Sequence, residues 1–167
     1  MSQRTKEEIE AIARNMLIEH NMYSIPVDPV VLANKLGIRV SSAEFADPNI
    51  SGMIMVNGEN VELLVNISDS YHRKIFTIAH ELGHKILHLE NGGKYVDFQV
   101  NMYRGCQNRG NKEYDEEIEA NQFAAALLMD EELVKSIWPE IGPLYELANL
   151  FNVSQSAMGY RIDNLGL

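Results

Sequence analysis

The sequence predicts an α+β fold: a small, mostly antiparallel three-stranded sheet packed on one buried helix, followed by a helical C-terminal part. Three observations carry that expectation. Residues 71–88 have helical periodicity with apolar residues on two flanks, which places that helix inside the core rather than on its surface. Short strand-like runs precede it, two of them joined through Asn57-Gly58, a hairpin signal. From Asp115 onward the chain reads as successive helices.

Taken in order, residues from Lys6 to about Asn21 place Ile9, Ile12, Ala13, Met16 and Leu17 at helical intervals. Pro26 and Pro29 break the chain, and Val30–Leu36 forms a second short helix stopped at Gly37. Ile38–Ser41 reads as a strand, and Gly52–Val56 and Val61–Ile67 as two more with a four-residue loop between them. Ser68, Asp69 and Ser70 supply caps for the buried helix. Residues 91–114, with Gly92-Gly93, Gly105 and Gly110, have little periodicity and read as a long loop lining a site; Tyr95–Met102 is a candidate edge strand within it. Helices then follow at Asp115–Met129, Glu131–Trp138, Pro143–Phe151 and Gln155–Leu165, the last capped by Ser154. The expected organisation is a core over residues 1–140 and a helix-turn-helix-like segment over 141–167, both parts of one compact unit.

At 167 residues and 46% apolar content, the chain has material for one core. Its single cysteine, Cys106, excludes an internal disulfide, and no apolar run suits a membrane span or a signal peptide, so a cytoplasmic location is expected. The net charge of −10 disfavours binding to a phosphate backbone. The last helix has Arg161 as its one basic residue and also carries Asp163, too little positive charge for a DNA reader. It is expected to cap the fold or to dock a protein, with neither nucleic acid nor membrane as a direct partner.

The most specific feature is His80-Glu81-Leu82-Gly83-His84 within the buried helix. Histidines four residues apart lie one turn apart on one face, so both imidazoles reach a single ion. Glu81 points roughly 100° round from His80, beside the open coordination position, where a general base belongs. His88 is eight residues beyond His80, about 12 Å along a straight helix, and cannot share a mononuclear ion with it. A third ligand is therefore expected from a second helix. On the helix over 115–129, Glu117 shares a face with Ala120, Asn121, Ala124 and Leu128, an alanine stripe that lets two helices approach closely. Glu117 is the preferred ligand and Glu113 its main competitor. Asn121, one turn on, is placed to orient a ligand histidine through a hydrogen bond. Gly83 costs helix stability, about 1 kcal/mol relative to alanine, and so implies a close crossing there.

Phe76-Thr-Ile-Ala-His80-Glu81-Leu-Gly-His84-Lys-Ile-Leu-His88, followed by Glu117-Ile-Glu-Ala-Asn121-Gln-Phe-Ala-Ala-Ala-Leu-Leu-Met129, resembles the ImmA/IrrE family of metallo-endopeptidases. The resemblance extends to the hairpin and to the closing Phe151-x-Val153-Ser154-x-x-Ala157-Met158-x-x-Arg161 motif. It implies a zincin-type active-site helix, one zinc per chain held by His80, His84 and Glu117, and Glu81 as the catalytic carboxylate. It also implies a protein substrate: a small helix-turn-helix repressor, often of the Xre type, belonging to a mobile element, a stress response or a toxin and antitoxin pair. Asp130 departs from the family's usual proline and is expected to cap the next helix instead. The leading expectation is zinc-dependent peptide-bond hydrolysis. The alternative is a metal-stabilised module, or toxin, that binds a repressor or antitoxin without cleaving it. Candidates for contacting the substrate or the developing oxyanion are His88 and Tyr103, with Tyr95 and Tyr160 behind them.

Overall fold

The computed structural model describes residues 4–89, 93–98 and 112–167. Thr5 opens the first helix, α1 (Lys6–Glu19), through a reciprocal capping box with Glu8. Asp28 caps α2 (Pro29–Lys35), whose first residue is a proline. Three strands follow: β1 (Ile38–Ala43), β2 (Ile50–Asn57) and β3 (Asn60–Asn66). Pairing between β2 and β3 continues to Asn57 and Asn60, so the hairpin turn is Gly58-Glu59, two residues rather than the four expected. Gly58 takes φ 60°, a value glycine adopts without steric cost.

The sheet corrects the expected topology in two respects. Its strand order is β1-β3-β2-β4, where β4 (Gly93–Phe98) is a fourth, edge strand that overlaps the candidate span Tyr95–Met102 over residues 95–98 and begins before it. It is also mixed rather than mostly antiparallel: β1 runs parallel to β3, while β2 is antiparallel to both β3 and β4. The reason lies in the connection over residues 44–49. Six residues reach well past the roughly 10 Å between strands two places apart, so β2 need not pair with β1, and β3 returns into the gap between them.

Ser70 caps α3 (Tyr71–Leu87), which packs on β2 and β3 through one side and on α4 (Lys112–Leu128) through the other. Ile54, Leu63 and Val65 of the sheet and Ile78, Ala79 and Leu82 of α3 are buried, which confirms the helix as a central layer. The remaining helices are α5 (Glu131–Ile137), α6 (Leu144–Leu150) and α7 (Gln155–Leu165). Asp130 caps α5 as expected and also accepts hydrogen bonds from Arg14 at 2.7 Å and Tyr23 at 2.9 Å. Arg161 of α7 is buried; it grips Glu10 of α1 through two hydrogen bonds and donates through Nε to the Met129 carbonyl at 2.8 Å. Among the described residues, no helix is long and apolar enough to cross a membrane.

Candidate metal centre

The two helices that carry the candidate ligands meet at Gly83. A Cβ on that residue would lie 3.1 Å from both the Cα and the carbonyl oxygen of Ala120, so any larger residue would push the second helix back by a few tenths of an ångström or more. The crossing falls between His80 and His84 on α3 and one turn beyond Glu117 on α4. It brings Glu117 across both histidines.

The three donor groups form a nearly equilateral triangle. His80 Nε2 is 3.3 Å from Glu117 Oε2, His84 Nε2 is 3.1 Å from Glu117 Oε1, and the two imidazole nitrogens are 3.0 Å apart. Tetrahedral zinc with bonds of 2.0–2.1 Å would separate its ligand atoms by about 3.3 Å. Protons alone satisfy this arrangement poorly. If both Nε2 atoms carry hydrogen, two N–H groups confront each other at 3.0 Å. If one does not, a lone pair faces the carboxylate. A divalent cation accepts all three lone pairs at once, so His80, His84 and Glu117 fit a metal.

Burial and charge set the protonation states. Burial is the largest influence on His84 and pushes its pKa below 6.5, against the pull of the Glu117 carboxylate, so the imidazole favours the neutral, metal-ligating form. For Glu117, burial acts to raise the carboxyl, but hydrogen bonds and charge from His80 and His84 outweigh it and hold the pKa down to about 2. The imidazoles are 3% and 1% exposed and the Glu117 side chain 41%, so the triad opens toward solvent on the carboxylate's side.

Glu81 is fully buried on the face of α3 turned toward β2, close to Gly52. Phe76, one turn before His80, stacks on its ring with centroids 6.5 Å apart. Phe76 and Asn121 also line a groove of about 350 Å3 that runs between α3, α4 and α7, past Ile118, Ala125, Met129 and Tyr160.

The structure thus assembles His80, His84 and Glu117, with Glu81 beside them. Asn121 is in the groove, and His80 Nδ1 is buried without a hydrogen-bond partner among the described residues. His88 ends α3 and lies 3.8 Å from Glu119, which itself accepts from Arg4 at 2.8 and 3.1 Å. Burial is the main influence holding the His88 imidazole below its ordinary value. Tyr103 and Cys106 lie outside the described residues, as do the Glu113 and Tyr95 side chains. Sequence reasoning passed over Gly52, which lies against both Thr77 and Glu81. A glycine inside a strand pattern was the available signal, because it marks a bulge or a close approach.

Comparison with known families decides the wider identity. Residues 33–163 match the IrrE N-terminal-like domain, a peptidase family. The chain belongs to that family. The match runs from α2 into α7 and contains all four residues of the centre. No curated protein matches the sequence significantly. Membership makes this a metallopeptidase-like domain, and the His80, His84 and Glu117 group is its candidate metal site.

Proposed function

We propose that the protein is a zinc-dependent endopeptidase that hydrolyses a peptide bond in a protein substrate. The observation that carries this reading is the convergence of His80, His84 and Glu117 from two helices, with the Glu81 carboxylate one residue from the first ligand. Zinc, one per chain, suits the two imidazoles and one carboxylate, and it would supply the Lewis acidity that polarises a carbonyl and acidifies water.

The chain's own residues do the rest. Glu81, in a pocket without solvent exposure, accepts a proton from the attacking water and delivers it to the departing amine. Burial favours the neutral form of His84, which keeps its ring nitrogen available as a ligand. Among the described residues β4 is an edge strand, and its outer side offers main-chain donors and acceptors to an extended peptide. The groove beyond Phe76, walled by Ala125 and Met129, takes an apolar side chain next to the scissile bond.

The substrate class we assign is a small helix-turn-helix repressor of the Xre type, which the C-terminal helices help to dock, in the cytoplasm. The net charge of −10 supports a protein rather than a nucleic-acid partner. The test is to incubate the zinc-loaded protein with the repressor encoded beside it and to identify fragments by mass spectrometry. Cleavage by the native chain and none by Glu81→Gln is the expected result; an intact repressor in both would overturn the assignment.

A further inference from the structure

β2 is irregular where it faces α3. Ile50 pairs with Phe98 of β4 and Gly52 pairs with Asp97, so Ser51 is an extra residue bulged out of the ladder. Such a bulge bends a strand and re-aims its neighbours. On α3, Arg73, Thr77 and Glu81 are spaced four apart and form one stripe. Arg73 Nε donates to Ser51 Oγ at 3.0 Å, tying the bulge to the helix. The next two members of the stripe sit over Gly52. A Cβ on Gly52 would lie 2.3 Å from Thr77 Cγ2 and 3.2 Å from the Leu64 carbonyl oxygen, and in ordinary contact with Glu81 Oε1 at 3.4 Å. The φ of Gly52 is outside the left-handed region, so glycine is needed here for space and not for conformational freedom. Thr77 and Glu81 are both fully buried.

We infer that Gly52 and Thr77 are positioning residues for the Glu81 carboxylate. Gly52 leaves the room that the Thr77 methyl fills beside Glu81, a contact that fixes how closely α3 lies on β2 and so where the carboxylate sits, and the Ser51 bulge holds the strand at the required distance. This rests on the reading of Glu81 as the proton-transferring group. A merely structural glycine at this position would affect stability and leave the chemistry of Glu81 alone.

Acetohydroxamate separates the two cases, because its oxygens chelate a bound zinc while its hydroxyl proton passes to a neighbouring carboxylate. Gly52→Ala should bind zinc as the native chain does, and its affinity for acetohydroxamate should fall about tenfold, the loss of one charge-assisted hydrogen bond. Adding Thr77→Ser removes the clashing methyl and should restore the affinity. In a Glu81→Gln background, Gly52→Ala should cause no further loss. The inference is overturned if Gly52→Ala binds acetohydroxamate normally, or weakens it equally with and without Glu81. Should Gly52→Ala fail to fold, Gly52→Ala/Thr77→Ser must fold and bind normally, and its failure also overturns the inference. A native zinc-loaded chain that does not bind acetohydroxamate would overturn the peptidase reading itself, a result distinct from insensitivity to Gly52.

Discussion

Gly83 and Ala120 are in backbone contact across the crossing of α3 and α4, with 3.1 Å between the position of a Cβ on residue 83 and Ala120 Cα. The contact sets how far Glu117 stands from the two histidines. Gly83→Ala gains about 1 kcal/mol of helix propensity but overpacks the crossing, which costs about 1–3 kcal/mol. The variant should be modestly less stable and bind zinc about tenfold less tightly, because ligand distances this short tolerate little displacement. Gly83→Val should lose the metal. Competition against a chromogenic chelator measures both, and unchanged affinity in the pair would show that the crossing does not set the site.

Glu117 and Glu81 should fail in different ways. Glu117→Ala removes one of three ligands and should lower zinc affinity by orders of magnitude. Glu81→Gln should keep full zinc stoichiometry and lose about 10²–10⁴-fold in cleavage rate, the range of general acid–base catalysis. Metal analysis beside a cleavage assay distinguishes them; zinc lost from Glu81→Gln would make that residue a ligand instead.

Arg161 and Glu10 lock the last helix onto the first from positions that are both buried. Breaking a buried ion pair from one side leaves an uncompensated charge, so Arg161→Met should cost about 3–5 kcal/mol in urea unfolding. The double variant Arg161→Met/Glu10→Leu should recover most of that loss. A double variant as unstable as the single would assign the loss to the Arg161 bond with the Met129 carbonyl.

Acid should destabilise the metal-free chain through the same centre. His84 and Glu117 both have folded-state pKa values below their ordinary ones, 6.5 and 4.5, with Glu117 at about 2. In the intervening windows the unfolded chain binds more protons, so stability falls as pH falls. The His84 contribution is present above 6.5 and fades below it, and that of Glu117 is lost between 4.5 and about 2. Urea midpoints measured from pH 8 to pH 3 should decline, and the decline below pH 4.5 should shrink in Glu117→Gln.

What could be read before folding was whatever depends on near neighbours in the chain. Helix periods, the Ser70, Asp130 and Ser154 caps, and the one-turn spacing of His80 and His84 are all set within a few residues. The Glu117 assignment was also within reach, because a helical wheel sorts acids by face. Gly83 announced a crossing, and the wheel pointed to the alanine stripe that makes it.

Sequence alone therefore determined the elements, the chemistry of the donor set and the helix each donor rides on. Tertiary structure alone decided that β3 enters between β1 and β2, that Ser51 bulges, that Gly52 lies against Thr77 and Glu81, and that Arg161 reaches Glu10. These depend on which distant segments come together, and that is chosen by collective burial and loop reach, for which no local pattern of residues is a substitute.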